Sequence, residues 1–513
     1  MRIVKFFISI AFAFVFSYSY SQTTTVKNSV DNRLRFQKKF PDIDKYIDST
    51  LKEWNVPGLA LTVVYKDQTI YTKGYGYRDL EKKLPVETST LLPIASNTKL
   101  FTATLACILA EEGKLSLDKP VRNYLPSIIF STDELNAKVT LRDMLSHRTG
   151  LPRYDGIWVN STMGRKEMLE KIVYMKPALG FREGYLYNNM MFLGAGVAME
   201  TITGKPWEDL IREKIFGPLK MNCSFFTLAE YQNYSNHSLS YFEPDSTKRL
   251  LPKKYVGIAD ALGPAGTIKS TAEDMGNWMI AQLNNGMFKG QQAIPAKAIA
   301  QTLIPNNISD KDGRYDELSN GIYCLGRTIQ MYKGHKIASH GGAIDGYYSF
   351  VMLFPKDSLG IFVVVNADHG RPLSNFVPLD VFDRLLGLPT TPWSQRYMKD
   401  YLAAKKQGKI DEDSVKATQV KNTNPSHALQ AYSGTYKNAT YGDIRIELNN
   451  DQLLFYYRSQ KSNLYHFHYD QFVTKEDGND NPDFRLSFLT NNKGDIDKIS
   501  MNIFGDNGVE FKK

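Results

Sequence analysis

The sequence has few cysteines and no motif that is typical of a metal centre. Its three cysteines, Cys107, Cys223 and Cys324, are too few and too widely spaced for a disulfide framework, and we expect buried free thiols. The chain contains no C-x-x-C, no H-E-x-x-H and no EF-hand loop. We therefore expect neither a dedicated metal site nor a cofactor.

Long apolar runs and clusters of like charge are missing as well. After residue 21 no stretch of about 18 apolar residues occurs, which argues against an integral membrane span in the mature chain. The 513 residues carry a net charge of +9, but the basic residues are dispersed, so the footprint of a nucleic-acid-binding protein is absent. With 42% hydrophobic and 23% charged residues, the composition is that of a globular protein.

The first 21 residues resemble a removable export signal. Arg2 and Lys5 give a positive start, the apolar run from Phe6 to Phe16 follows, and Ser21 ends a pattern of small residues. The run is too short to span a bilayer comfortably. We expect a periplasmic or secreted protein.

Strand-like runs lie at both ends of residues 22–388, and helices fill the middle. The runs that predict strands are Leu59–Tyr65, Thr69–Tyr77, Tyr347–Phe354 and Leu359–Asn366. The simplest arrangement is an α+β fold in which one antiparallel sheet is built from both ends and flanked by helices, with a helical insertion.

The remaining chain changes character twice. Residues 389–428 combine prolines with a polar run and predict a linker with one short helix. Residues 429–513 contain six short alternating runs separated by Asn, Gly and Asp turns, which predict a small all-β domain, a barrel or a sandwich, and we favour the barrel.

Ser96 and Lys99 form the first candidate catalytic pair. Ser96 lies where a loop enters a helix predicted over 98–112, and Lys99 lies one turn further on the same face. A lysine with a pKa lowered by desolvation can accept the serine proton, and the N–H groups of a helix start can stabilise an oxyanion. The S-x-x-K spacing recurs at Ser49 and Ser116 without this context, and a helix cap is the alternative for Ser96.

Two further short motifs supply candidate partners. Tyr187 and Asn189 precede a predicted helix, where a tyrosine can transfer protons and an asparagine can bind a substrate amide. His340 is followed by two glycines, and Gly342 lets a ligand approach the backbone so that the Ala343 N–H can face a carbonyl oxygen. The alternatives are a packed loop tyrosine and a plain glycine turn beside a surface histidine.

In this order and spacing the motifs resemble the class C beta-lactamase-like serine hydrolases, a family that includes D-alanyl-D-alanine carboxypeptidases, D-amino-acid peptidases and some esterases. The resemblance covers roughly residues 40–388, and the β-rich tail is similar to the lipocalin-like domain of some members. The matching segments are Ser96-Asn97-Thr98-Lys99, Tyr187-Asn188-Asn189, His340-Gly341-Gly342, Val139–Pro152 and Gly263–Thr271.

The resemblance implies a beta-lactamase/penicillin-binding type of fold and a two-step acyl transfer on amide or ester bonds. The substrate would be a small molecule or a peptide, with peptidoglycan-derived peptides among the candidates. The implied roles are Ser96 as acylated nucleophile, Lys99 and Tyr187 as general base and acid, the backbone N–H groups of Ser96 and Ala343 as oxyanion hole, and Asn189, His340 and Gly342 as substrate-binding residues.

One departure from the family pattern bears on the substrate. Typical class C beta-lactamases have a lysine where His340 stands, and a neutral histidine gives up the permanent attraction for a substrate carboxylate. We therefore favour a D-amino-acid peptidase or an esterase over a beta-lactamase. A non-catalytic envelope-binding protein with the same fold is the other alternative.

Three other histidines are weaker candidates for functional residues. His466 and His468 alternate on a predicted strand, and we interpret them as a surface pair because no third metal ligand is evident. His147 lies in a family-like segment, and we expect a structural role for it.

Overall fold

The computed structural model describes residues 34–244, 247–310, 314–475 and 484–513. The predicted export signal, residues 1–21, lies outside these ranges. Within them, no helix combines the length and the apolar character that crossing a membrane requires.

An antiparallel sheet, nine-stranded over the described residues, forms the centre of the chain up to residue 388, which we call the first region. The pairing of Leu59 with Val365 joins a strand from the start of the region to one from its end, which confirms that one sheet is built from both ends. From edge to edge the strands are β10 (Asn307–Asp310), β11 (Gly321–Tyr323), β12 (Thr328–Tyr332), β13 (His335–Ile344), β14 (Tyr347–Phe354), β15 (Leu359–Val365), β1 (Gly58–Tyr65), β2 (Gln68–Asp79) and β3 (Leu84–Pro85).

Short ladders and helices make up the rest of this region. The ladders pair β4 (Leu92–Pro93) with β7 (Lys269–Ser270), β5 (Ser240–Phe242) with β6 (Leu251–Lys253), and β8 (Met287–Phe288) with β9 (Gln291–Gln292). The helices are α1 (Phe40–Glu53), α2 (Thr98–Glu111), α3 (Asp133–Lys138), α4 (Leu141–Leu145), α5 (Arg165–Glu170), α6 (Asn189–Thr203), α7 (Trp207–Ile211), α8 (Gly217–Leu219), α9 (Leu228–Asn233), α10 (Gly263–Gly266), α11 (Ala272–Leu283), α12 (Ala296–Gln301), α13 (Arg371–Leu386) and α14 (Trp393–Ala417).

Helices cover both faces of the sheet. The central strand β1 is buried along nearly its whole length, as expected for an apolar strand between two helical layers. On one face Thr62 donates a 2.7 Å hydrogen bond to the carbonyl of Ala272 at the start of α11. On the other face the ring of Phe382 in α13 stacks at 3.6 Å on Phe354 of β14. The sheet is therefore a rigid middle layer.

The helix α2 runs through the interior of the helical layer. All its residues from Thr98 to Leu109 are buried, which is typical of a helix that is packed on every side. Such a helix fixes the position of the chain that enters it.

The segment that follows the first region is more regular than predicted. The short helix expected within 389–428 is instead α14, which has 25 residues. Its first turn is anchored, because Trp393 is fully buried and Ser394 accepts a 2.8 Å hydrogen bond from the Trp54 indole. Tyr397 in the second turn is also buried, but from Leu402 onward α14 is exposed and rich in charged residues, so this part of its sequence resembles that of a linker.

The C-terminal residues form a closed barrel of eight antiparallel strands among the described residues. Lys437 pairs with Lys512 and closes it. Six strands were predicted, and β20 and β23 were missed because they are short or mostly polar. The strands are β16 (Gly434–Asn438), β17 (Gly442–Asn449), β18 (Gln452–Tyr457), β19 (Gln460–His468), β20 (Gln471–Lys475), β21 (Arg485–Thr490), β22 (Ile496–Ile503) and β23 (Asp506–Lys512).

Candidate active site

Ser96 lies in a tight turn directly before α2. The turn is a 3-10 helix over Ala95–Asn97, and Ala95 has φ +47°, a left-handed conformation that costs energy in a residue other than glycine. The chain is held there by Ile94, whose carbonyl accepts a 2.7 Å hydrogen bond from Ser349 and whose N–H donates to the Ile268 carbonyl at 3.0 Å. The bend is thus enforced by its surroundings.

The Lys99 side chain is completely buried beneath Ser96. Its Nζ lies 3.1 Å from Ser96 Oγ, 2.7 Å from Asn189 Oδ1 and 2.7 Å from the Ala265 carbonyl oxygen. None of these three partners is a carboxylate. A buried amine without a directly bonded counter-ion is disfavoured in its charged form.

The pKa of Lys99 is accordingly well below its usual range, chiefly through desolvation and further through the positive charge of Arg153. A neutral amine satisfies all three contacts. Its two N–H groups donate to the carbonyl oxygens of Asn189 and Ala265, which can only accept, and its lone pair then faces the hydroxyl of Ser96. This arrangement allows Lys99 to remove the serine proton.

Tyr187 approaches the same oxygen from the middle of the chain. Its hydroxyl lies 2.9 Å from Ser96 Oγ. The next residue, Asn188, fixes this position by capping α6 through the Met191 N–H at 3.1 Å and by donating its own N–H to His147 Nδ1 at 3.1 Å. Desolvation raises the pKa of Tyr187, so the phenol keeps its proton and can donate it.

Asn189 connects Lys99 to a carboxylate. Its Oδ1 accepts from Lys99, and its Nδ2 donates to Asp155 Oδ1 at 3.2 Å. The amide is buried and its oxygen is already used within the protein. Any contact of Asn189 with a substrate would therefore come from the amide nitrogen.

His340 is a buried residue in the wall of the site. Its Nδ1 lies 2.6 Å from the Gly341 carbonyl, so this nitrogen carries the proton, and Nε2 accepts from the Tyr323 hydroxyl at 3.1 Å. Burial lowers the pKa of His340 to about 3. The plain surface histidine considered from the sequence is thereby excluded, and the ring is neutral near pH 7.

Gly342 lets β13 approach the turn that carries Ser96. A Cβ on Gly342 would lie only 2.1 Å from the Ile94 carbonyl oxygen, so no other residue fits there without displacement. The pairing of β12 with β13 ends at Ser339. Beyond Ser339, no described strand pairs with β13 on the edge that faces β12. Ala343, whose N–H is the predicted oxyanion-hole donor, is exposed and lies on this unpaired stretch.

Two charged residues next to the site were not singled out from the sequence. Arg153 stacks over the Tyr187 ring at 4.9 Å, and its Nε donates to Asp155 Oδ2 at 2.5 Å. Both residues lie in a loop that begins just after the segment Val139–Pro152 and includes one 3-10 turn, Asp155–Ile157. Only their closeness to that segment could have pointed to them, because a loop has no periodicity.

The other residues considered from the sequence lie elsewhere or serve the scaffold. His147 packs at 4.4 Å on the Tyr187 ring and supports it. In the barrel, His466 and His468 bind separate backbone groups, at Tyr469 and at Val420. The described part of the chain contains no group of three or more potential metal ligands, and it gives Cys107, Cys223 and Cys324 as free thiols, the second of them partly exposed.

A serine hydroxyl that meets a buried lysine amine and a tyrosine hydroxyl on a penicillin-binding type of α+β fold has the arrangement of a serine hydrolase. The comparison with known families agrees, and the chain belongs to the beta-lactamase family, which matches residues 43–379. Residues 418–513, which contain the barrel, match a domain of unknown function (DUF3471).

Individual relatives are distant. The unguisins hydrolase ungD of Aspergillus violaceofuscus is 26% identical over 448 residues, which cover 80% of this chain and 76% of the relative. The octameric penicillin-binding protein homologue from Pyrococcus abyssi has a TM-score of 0.60 at 20% identity, covering 92% of this chain and all of that one. SurE solved with D-Leu has a TM-score of 0.54 at 17% identity, covering 93% and 99%. The two structural likenesses establish the fold alone.

Proposed function

We propose that the protein is an exported serine hydrolase that cleaves amide or ester bonds through an acyl-enzyme. The observation that carries the proposal is the position of Lys99, buried and free of any bonded carboxylate, with Nζ 3.1 Å from Ser96 Oγ. A purely structural lysine in a protein core is normally paired with an acid. The position of Lys99 therefore supports a role as the general base.

In the first step Lys99 takes the proton of Ser96 while Oγ forms a bond to the substrate carbonyl carbon. The negative charge that develops on the carbonyl oxygen would be stabilised by the N–H groups of Ser96 and Ala343. When the carbon–nitrogen or carbon–oxygen bond breaks, Tyr187 donates a proton to the leaving group and recovers one from Lys99. Water then repeats the sequence on the ester of Ser96 and releases the acid.

For the substrate we favour a D-amino-acid peptide or an ester over a beta-lactam. A beta-lactam carries a carboxylate, and the neutral His340 has both ring nitrogens bonded within the protein. The SurE structure contains D-Leu, which is a reason to place D-amino-acid peptides and peptidoglycan-derived peptides first in a substrate panel. Simple esters and beta-lactams complete the panel.

Export rests on the sequence of residues 1–21. The positive start, the apolar run and the small residues at its end favour removal of this segment. Amino-terminal sequencing of the protein from its native host should then begin at Gln22.

Covalent labelling tests the proposal directly. A fluorophosphonate and a fluorescent penicillin are offered to the wild type, to Ser96→Ala and to Ser49→Ala, which alters a serine with the same S-x-x-K spacing on the exposed side of α1. We expect at least one probe to label the wild type and Ser49→Ala but not Ser96→Ala. If neither probe labels the wild type, the proposed hydrolase activity is wrong.

A further inference from the structure

The barrel contacts the first region beside the catalytic centre. Arg458 lies in the hairpin turn between β18 and β19, with φ +55°. Its guanidinium donates to the carbonyl oxygens of Gly156 at 2.5 Å and Ile157 at 3.0 Å, and also to that of Val159. One side chain of the barrel thus holds three carbonyls of a single loop, residues 153–159, which we term the docking loop.

The rest of this contact is closely packed. A Cβ on Gly156 would lie 2.6 Å from Ile503 Cγ2 and 2.8 Å from a ring carbon of Tyr441. The Tyr441 ring also stacks on Tyr154 at 6.4 Å. Because Ile503 and Tyr441, the side chains next to Gly156, both belong to the barrel, the docking loop has no room to shift toward the barrel.

The other side of the docking loop reaches the catalytic centre. Asp155 is the hydrogen-bond partner of Asn189, whose Oδ1 binds Lys99. Asp155 also accepts from the indole of Trp158 at 2.8 Å, inside the same loop. Hydrogen bonds from Arg458 to the docking loop and from the docking loop to Asn189 and Lys99, connected through the backbone of the loop, therefore join the barrel to the amine beside Ser96.

We propose that the barrel holds the docking loop in the conformation that the catalytic centre requires, with Arg458 as a positioning residue that acts through Asp155 and Asn189. The inference rests on the proposed hydrolase function. Arg458 has its donors on backbone carbonyls, so it is not available to bind a substrate. The barrel is on this account a structural part of the active site.

The state of Lys99 gives this role a measurable signature. The charged groups that face Lys99 are Arg153 and Asp155, both in the docking loop. Its other titratable neighbours in the site are Tyr187, His147 and His340. Burial is the largest cause of the low pKa of Lys99. If the loop loosens, water reaches the amine and its pKa rises toward the ordinary value. The acidic limb of the pH–rate profile then moves to higher pH.

The test uses the full chain and the rate of Ser96 labelling by the fluorophosphonate between pH 5 and 10. We expect Arg458→Ala to slow labelling at pH 7 by about tenfold or more and to move the acidic limb upward by about half a unit. Gly156→Ala, which pushes on the same contact from the opposite side, should do the same. Arg458→Lys should recover part of the rate, because lysine keeps the charge but not the fork of donors.

Arg485→Ala is the matched control. This arginine also belongs to the barrel, but it contacts the Val415 carbonyl of α14 at 3.2 Å, away from the docking loop. We expect its profile to match the wild type. A slower rate with an unmoved acidic limb in Arg458→Ala would indicate general damage and overturn the proposal, as would an unchanged rate.

Hydrogen exchange distinguishes a failure of this positioning role from a failure of the proposed hydrolase function. Arg458→Ala should speed amide exchange in residues 155–159 and at the start of α6, whether or not any probe reacts. If the wild type is unlabelled but exchange rises at α6, the hydrolase function fails and the positioning role stands. If exchange at α6 is unchanged, the positioning role is wrong.

Discussion

Lys99 has to be neutral for the proposed chemistry, and its surroundings favour that state. Burial first, and then the positive charge of Arg153, hold the pKa of the amine well below its usual range. Activity should therefore rise as the pH is raised through this lowered pKa, and the enzyme should be active near neutral pH without a histidine base.

The first prediction concerns this amine. Lys99→Ala should lower turnover by about a hundredfold or more, because the proton of Ser96 then has no base within reach. Steady-state rates on the best substrate of the panel measure the effect. Lys52→Ala is the control, since Lys52 follows Ser49 at the same spacing but is exposed on α1. An unchanged rate in Lys99→Ala would remove this residue from the mechanism.

His340 provides a prediction about stability and pH. Its pKa is about 3 in the folded protein and close to 6.5 when unfolded, so between these values the unfolded chain binds the extra proton. The histidine therefore costs folding stability as the pH falls below about 6.5. The wild type should lose about 1.4 kcal/mol per pH unit relative to His340→Gln between pH 6 and pH 4.

Urea unfolding of the wild type and His340→Gln across this range measures the difference. Between pH 7 and 8 the histidine is neutral in both states, so the difference should stay constant there, which serves as an internal control. Parallel curves down to pH 4 would show that His340 titrates normally in the folded protein.

The sequence identified Ser96, Lys99 and Tyr187, and the structure brings the Lys99 amine and the Tyr187 hydroxyl each within hydrogen-bond distance of Ser96 Oγ. Their catalytic roles stay predictions until labelling is done. Asp155 was missed because its link to Asn189 spans a loop and a helix start that no local pattern connects. Polar groups on loops take their partners from the fold, and the sequence contains no signal for the pairing.

Strand β13 is positioned by the absence of a side chain at Gly342. The neighbouring strand β14 contacts the same carbonyl. The Ser349 hydroxyl donates a 2.7 Å hydrogen bond to the Ile94 carbonyl oxygen and so connects the sheet to the turn that carries Ser96. Both contacts set the distance between the free stretch of β13 and the nucleophile.

Gly342→Ala should reduce the rate of Ser96 labelling by about a hundredfold, since its Cβ would meet the Ile94 carbonyl and push β13 away from the site. Gly341→Ala is the matched control: its Cβ would lie 3.2 Å from ring atoms of Phe350, a side chain that can adjust. Equal labelling rates in the two variants would show that the spacing of β13 does not matter for acylation.

Regular elements with a strong apolar pattern were predicted closely. The strand expected over Tyr347–Phe354 has those limits in the structure. The polar strand Asp506–Lys512 and most of α14 were not anticipated, because they are held by neighbours rather than by an apolar face of their own. Closure of the barrel through Lys437 and Lys512 likewise pairs two residues that are far apart in sequence.

The described residues form two apolar cores, one on each face of the central sheet. The core on the side of α2 continues into the barrel, which agrees with a barrel that serves the active site. The core on the opposite side contains residues of α13 and of the first two turns of α14. The start of α14 thus anchors the chain on the face that lies away from the nucleophile.

Trp393 is the main anchor of α14 and the subject of the last prediction. It is fully buried, and its indole donates to the Tyr332 hydroxyl at 3.2 Å. Trp393→Ala should lower the free energy of unfolding of the first region by about 3–5 kcal/mol, the cost of emptying a large aromatic site. Because α2 lies on the other face, Ser96 labelling by the folded protein should keep its wild-type rate.

Urea unfolding gives the stability, and fluorophosphonate labelling at low urea gives the rate. Leu402→Ala is the control on the same helix, since Leu402 is 55% exposed and its loss should leave both quantities nearly unchanged. If Trp393→Ala slowed labelling as strongly as it lowered stability, the two cores would not be independent. The sheet would then transmit the damage from one face to the other, and the barrel contact at the docking loop would not be the only long-range support of the site.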